Sequence, residues 1–91
     1  MGNKESQIEY PKTPFWTPLE SAVGDRCREF MFMGQIFQEG TLIFLYKNII
    51  SRAYLNLDIK DQAYQFKGEQ GYLPISKEDA IKHVFERGIT L

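Results

Sequence analysis

The chain has 91 residues, 43% of them hydrophobic and 25% charged, and its formal net charge is −1 at pH 7. A chain of this length forms one domain at most, and it lacks the basic excess of a protein that neutralises many phosphates. A single cysteine, Cys27, excludes an internal disulfide and favours a reducing compartment, so we expect a cytoplasmic protein.

The N-terminal segment predicts a flexible or draped tail over residues 1–16, followed by a single domain over residues 17–91. The tail is polar at first and contains two prolines. Phe15 and Trp16 at its end are costly to leave in water. We therefore expect these two rings, the N-terminal clasp, to dock back onto the domain.

Membrane association is disfavoured by the sequence. The longest apolar run, residues 41–46, is far shorter than the roughly 20 residues that a helix needs to cross a bilayer. Gly2 stands in a loose match to the N-myristoylation pattern. The residues after it are not polybasic, and a single acyl chain alone anchors a protein only marginally.

Turn and helix signals divide the domain into short elements. Residues 17–20 predict the start of a short helix that Gly24 ends. Runs rich in apolar and β-branched residues, separated by turn residues, predict antiparallel strands. The expected strands span residues 27–37, 41–47, 49–59 and 63–68, with a short edge strand over residues 72–75.

The last element has the clearest pattern. Ser76 is a good N-cap, and an apolar stripe with helical spacing follows it. The stripe consists of Ala80, Ile81, Val84 and Phe85. Gly88 and Ile89 fit the end of a helix over residues 77–87. The fold class predicted is therefore α+β: an antiparallel β-meander of four to five strands, a C-terminal α-helix packed on one face, and a short N-terminal helix.

The hairpin over residues 51–66 alternates between apolar and polar residues. If its two strands place their apolar residues on the same face, the loop between them has an even number of residues. The cross-strand pairs expected on this basis are Leu57–Tyr64, Leu55–Phe66, Asn56–Gln65, Tyr54–Lys67 and Arg52–Glu69.

The first hairpin, by contrast, is apolar on both faces. One face is expected to carry Phe32, Ile36, Ile43 and Leu45, and the other Met31, Met33, Phe37, Leu42, Phe44 and Tyr46. Because one helix covers only one face, the second face needs another cover. The N-terminal clasp, curling of the sheet into a small barrel, and another protein chain are the three candidates.

These features predict a non-enzymatic protein-interaction or regulatory module that binds a protein partner or forms a homodimer through the first hairpin. Met33, Phe44 and Tyr46 are the expected anchors, with Arg52 and Tyr54 at the polar rim.

The sequence is also compatible with two other functions. A small β-barrel that binds single-stranded nucleic acid would stack bases on exposed aromatic rings and contact phosphates through Arg52, Lys47 and Lys67, although the balanced charge disfavours it. An enzyme would need a site built around Cys27 or His83. With one histidine and one cysteine far apart, the sequence predicts no metal site, and it indicates no cofactor.

Overall fold

A computed structural model of the chain describes residues 8–86. These residues form a six-stranded antiparallel sheet whose strands lie in chain order, together with two α-helices. The elements are β1 Ile8–Glu9, α1 Thr17–Val23, a 3₁₀ helix Gly24–Glu29, β2 Phe30–Gln38, β3 Thr41–Asn48, β4 Tyr54–Asp58, β5 Ala63–Phe66, a 3₁₀ turn Gly68–Gln70, β6 Tyr72–Ile75 and α2 Lys77–Glu86. The α+β class and both helices are confirmed, whereas the sheet has six strands rather than four to five.

The additional strand comes from the segment predicted as a tail. Ile8 of β1 pairs with Ile36 of β2, and Glu9 pairs with Gln35. A strand of two residues has no periodicity, so the sequence pattern could not predict it. The predicted features at Gly2, Gly88 and Ile89 lie outside the described residues.

A β-bulge changes the faces of the first hairpin. The pairing of β2 with β3 shifts by one residue between Phe32 and Gln35. Phe32 pairs with Tyr46 and therefore shares a face with it, rather than with Ile36. The predicted division of β2 is wrong because it assumes an unbroken strand.

The register predicted for the second hairpin is also wrong. Asn56 pairs with Tyr64, and Leu57 pairs with Ala63. Ala63 therefore shares the face of Leu57, while Tyr64 lies on the opposite face. The Asp58 N–H donates to the Gln62 carbonyl oxygen at 3.0 Å, which leaves a loop of three residues, 59–61. None of the expected cross-strand pairs forms.

The side chain of Asp58 explains this loop. Its Oδ1 accepts hydrogen bonds from the main-chain N–H groups of Lys60 at 2.8 Å and Gln62 at 2.9 Å. Asp61 adopts a φ of 72°, a region in which aspartate is enriched over most residues. Local side-chain hydrogen bonding thus fixes the loop length that the strand pattern left open.

Both helices pack on one face of the sheet, the helical face. The predicted N-cap is confirmed, since the N–H of Asp79 donates to Ser76 Oγ at 3.2 Å. From α2, Ala80 and Val84 are buried in the main hydrophobic core. The buried members of this core are Leu19, Phe30, Phe44, Tyr46, Ala53, Leu55, Leu57, Ala63, Ala80 and Val84.

The N-terminal clasp docks onto the domain as expected, but on the helical face rather than on the face that the helices leave open. Phe15 packs on Phe44 with ring centroids 4.9 Å apart, and Trp16 stacks on Tyr46 at 5.9 Å. The Tyr46 hydroxyl donates a hydrogen bond to the Phe15 carbonyl oxygen at 2.6 Å. The clasp and the two helices therefore cover the helical face together.

The opposite face, which we call the curled face, is closed by Gln38. At the end of β2 its side-chain amide donates to the carbonyl oxygen of Tyr72 in β6 and accepts from the Tyr72 N–H, both at 2.9 Å. Pro74, also in β6, has no N–H to offer. The free edge of β6 is thereby protected against pairing with another strand.

Changing Gln38 to glutamate tests this closure. We expect Gln38→Glu to lower the free energy of unfolding by about 1–2 kcal/mol at pH 7, because a carboxylate accepts from the Tyr72 N–H but cannot donate to its carbonyl. Urea denaturation measures the change. The exposed Gln70→Glu is the charge-matched control and should have little effect; equal losses would show that Gln38 does not hold β6.

Candidate binding groove

The sheet opens where β4 and β5 diverge, and residues from both of its faces border the opening. The β4–β5 ladder stops at the Asn56–Tyr64 pair, and Tyr54 and Phe66 farther along do not pair with each other. The opening contains a cavity of about 620 Å³, within the usual size of a ligand site. We call it the aromatic groove; its lining includes Tyr10, Met33, Tyr54, Tyr64, Phe66 and Tyr72.

Three of these rings surround the mouth of the aromatic groove. Tyr10 is 74% exposed, Phe66 58% and Tyr54 44%, which is a large exposure for aromatic side chains. Phe66 also packs against Tyr72 with ring centroids 5.0 Å apart. Exposed apolar surface grouped around a concave site is typical of a binding surface.

Asn56 supplies a buried polar group to the same cavity. The residue is 5% exposed, and its Nδ2 donates to the Tyr64 carbonyl at 3.3 Å. Its Oδ1 is buried and has no hydrogen-bond partner among residues 8–86. Leaving such an acceptor unpaired costs on the order of 1–3 kcal/mol, so a donor near Asn56 would be stabilising.

The phenols of Tyr64 and Tyr72 stay protonated at neutral pH. Burial, together with a hydrogen bond from its hydroxyl to Asp58 Oδ2 at 2.8 Å, raises the pKa of Tyr64 to about 12. Burial also raises the pKa of Tyr72. These rings therefore present neutral π-faces and hydroxyl groups to a ligand.

The structure separates the five residues predicted to bind a partner. Met33 and Tyr54 line the aromatic groove. Phe44 and Tyr46 are 5% and 0% exposed beneath the N-terminal clasp, so neither side chain is available to a partner in the folded chain. Arg52 is exposed in the loop before β4, with a φ of 67°, and is not part of the groove lining.

The loop that carries Arg52 is fixed by neighbouring side chains. Asn48 Oδ1 accepts hydrogen bonds from the N–H groups of Ile50 and Ser51, both at 2.9 Å. Ser51 Oγ in turn donates to the carbonyl oxygen of Val84 in α2. Residues 49–53 therefore form a loop, although they were predicted to begin a strand over residues 49–59.

Sequence reasoning missed Tyr10, Tyr64, Phe66 and Tyr72 as groove residues. The alternation of Tyr64 and Phe66 with polar residues was a usable signal, but the wrong register assigned both rings to the core face. For Tyr10 no signal was available, because its position depends on the pairing of β1.

The two residues considered for an enzyme lie in different surroundings. Cys27 is half-buried against the main core in the 3₁₀ helix, whereas His83 lines the aromatic groove. Within residues 8–86, no group of three or more histidine, cysteine or acidic side chains could hold a metal ion. No helix in this part of the chain is long and apolar enough to cross a membrane.

Comparison with known proteins adds no relative: the chain matches no protein-family model, no curated protein and no solved structure.

Proposed function

We propose that the chain is a non-enzymatic protein-interaction module whose aromatic groove binds an extended segment of a partner protein. The observation that carries the proposal is the cavity between the diverging strands β4 and β5, with the exposed rings of Tyr10, Tyr54 and Phe66 at its mouth. Aromatic side chains in such positions commonly contribute most of the binding energy at protein interfaces.

The geometry favours an extended segment. Where β4 and β5 separate, Tyr54 and Phe66 do not pair with each other. An extended peptide can add main-chain hydrogen bonds at such strand edges while its side chains enter the cavity. The lone Cys27 supports placing this activity in the cytoplasm, where thiols stay reduced.

A different protein suits the groove better than a second copy of the chain. Self-association through the first hairpin would lack Phe44 and Tyr46, which lie beneath the N-terminal clasp. Pairing through β6 is opposed by Gln38 and Pro74 at its edge. Sedimentation analysis tests this point: we expect a monomer, and a stable dimer that Tyr54→Ala dissociates would make the partner a second copy.

Single-stranded nucleic acid is the alternative ligand. Its binding sites combine stacking rings with basic side chains along the backbone path. The aromatic groove has the rings, but neither lysine nor arginine lines the cavity within the described part of the chain. The composition of the groove therefore favours a protein segment.

Selection from a displayed library of random peptides tests the proposed function. We expect enriched peptides to bind the chain and to lose at least about tenfold in affinity in a Tyr54→Ala/Phe66→Ala variant, because each ring is a central contact. Isothermal titration calorimetry measures the affinities.

The matched control replaces two exposed apolar residues outside the groove, Phe37 and Ile50, with alanine. This control should bind the selected peptides as the wild type does. Failure to enrich any peptide, or equal loss of affinity in both variants, would overturn the proposed function.

A further inference from the structure

One acidic and one basic side chain line the aromatic groove, those of Asp79 and His83 in α2, and the lining contains no lysine or arginine in residues 8–86. Five aromatic rings line the same space, and the face of an aromatic ring attracts a cation. Both features favour a positively charged group over a neutral or negative one.

The buried acceptor at Asn56 points to the same chemistry. Its Oδ1 has no hydrogen-bond partner in the described structure, and the residue lines the cavity. Lysine and arginine side chains carry three and five N–H donors respectively, with no acceptor. An apolar side chain would leave the buried Asn56 acceptor unpaired, and an acidic one would be repelled by Asp79.

A cation of the chain itself already lies near one of these rings. Lys47 Nζ is 5.7 Å from the centroid of the Tyr54 ring. Because Lys47 contributes a positive charge beside Tyr54, a ligand cation is expected closer to the Asp79 carboxylate. The apolar stem of a long side chain can then pack on Phe66 and Met33.

We infer that the aromatic groove receives a lysine or arginine side chain of the partner segment. This inference rests on the proposed function and specifies the side chain that the groove selects. The juxtaposition of aromatic rings, the Asp79 carboxylate and the unpaired Asn56 acceptor, with neither lysine nor arginine in the described lining, carries it.

Titration with two matched amino-acid derivatives tests the inference on the full chain. Nα-acetyl-lysine amide carries the cation, and Nα-acetyl-norleucine amide has the same carbon chain without it. NMR chemical shifts of the Phe66 and Tyr72 rings report binding. We expect the lysine derivative to bind about two- to fivefold more tightly than the norleucine derivative, the ratio that a single exposed cation–π contact provides.

A charge variant separates the groove from general attraction. Asp79→Asn should weaken binding of the lysine derivative severalfold and leave the norleucine derivative unchanged. Glu78→Gln removes the same charge from the same helical turn, but Glu78 does not line the groove, so it serves as the control. Equal effects of the two variants would overturn the assignment of Asp79.

The outcomes distinguish this inference from the proposed function. If peptides are selected but the norleucine derivative binds as well as the lysine derivative, the cation inference fails and the proposed function stands. If the lysine derivative binds as expected but no peptide is selected, the site takes free amines and the proposed function fails. Absence of ring shifts with the lysine derivative at its highest soluble concentration overturns the inference.

Discussion

Replacing Gly34 with alanine should lower the free energy of unfolding by about 2–4 kcal/mol, because the change both strains the main chain and displaces β1. Gly34 has a φ of 108°, which side-chain-bearing residues rarely adopt. An added Cβ would lie 2.6 Å from the Glu9 carbonyl oxygen and 2.7 Å from Ile8 Cγ2. Urea denaturation followed by the fluorescence of Trp16, the one tryptophan, measures the loss.

Gly40→Ala is the control for this experiment. Gly40 also has a positive φ, 83°, but an added Cβ meets nothing within 4 Å, so only the main-chain cost of about 1–2 kcal/mol is expected. Deleting residues 1–10 should reduce the cost of Gly34→Ala to that of Gly40→Ala, because the crowding atoms are then gone. Equal costs in the full chain would show that β1 does not cross Gly34.

The parts of the fold that the sequence predicted depend on local signals. The C-terminal helix follows from a cap at Ser76 and an apolar stripe with one spacing, and the structure confirms both. The docking of Phe15 and Trp16 follows from the cost of exposing large rings. The cap and the stripe involve residues close together in the sequence. The docking of the two rings depends on one large energetic term, the burial of apolar surface.

The errors arise where a one-residue shift in strand pairing moves all the following side chains of the strand to the opposite face of the sheet. The bulge between Phe32 and Gln35 reverses the alternation of β2, and the Asp58 loop changes the register of β5 by one residue. A strand has a side-chain period of two, so each single-residue shift moves a whole set of side chains to the opposite face. Alternation alone could not locate these two shifts.

The five residues predicted to bind a partner do not form one surface, for the same reason. The alternation pattern predicts Phe44 and Tyr46 on the face opposite α2. In the structure, α1, α2 and the clasp all pack on the same face of the sheet as these two residues. The groove instead forms where β4 and β5 diverge. How far two strands stay paired depends on tertiary packing, which the alternation pattern does not contain. Of the predicted residues, only Met33 and Tyr54 line it.

Alkaline denaturation provides the strongest test of where Tyr46 lies. Burial, with a smaller contribution from the charge of Glu20, raises the pKa of Tyr46 well above the ordinary tyrosine value of 10.0. Above pH 10 the unfolded chain therefore releases a proton that the folded chain retains. The free energy of unfolding should then fall with pH by about 1.4 kcal/mol per unit for each tyrosine held protonated.

Tyr46→Phe should change this pH dependence in a characteristic way. At pH 7 the variant loses the hydrogen bond to the Phe15 carbonyl and about 1 kcal/mol of stability. Above pH 10 it has no phenol to ionise at this position, so its stability should fall less steeply than that of the wild type, and the two curves converge or cross. Urea denaturation from pH 7 to 11.5 measures both curves, with the exposed Tyr10→Phe as a control that should follow the wild type.

Parallel curves for the wild type and Tyr46→Phe would contradict the burial of Tyr46. Its ring would then be free to meet a partner on the first hairpin, as the alternation pattern of β3 indicated. Converging curves would place it beneath the N-terminal clasp, where the chain itself fills the position that a partner would take. Within residues 8–86, the aromatic groove then offers a group of exposed rings for binding, because Tyr10, Tyr54 and Phe66 have no such cover.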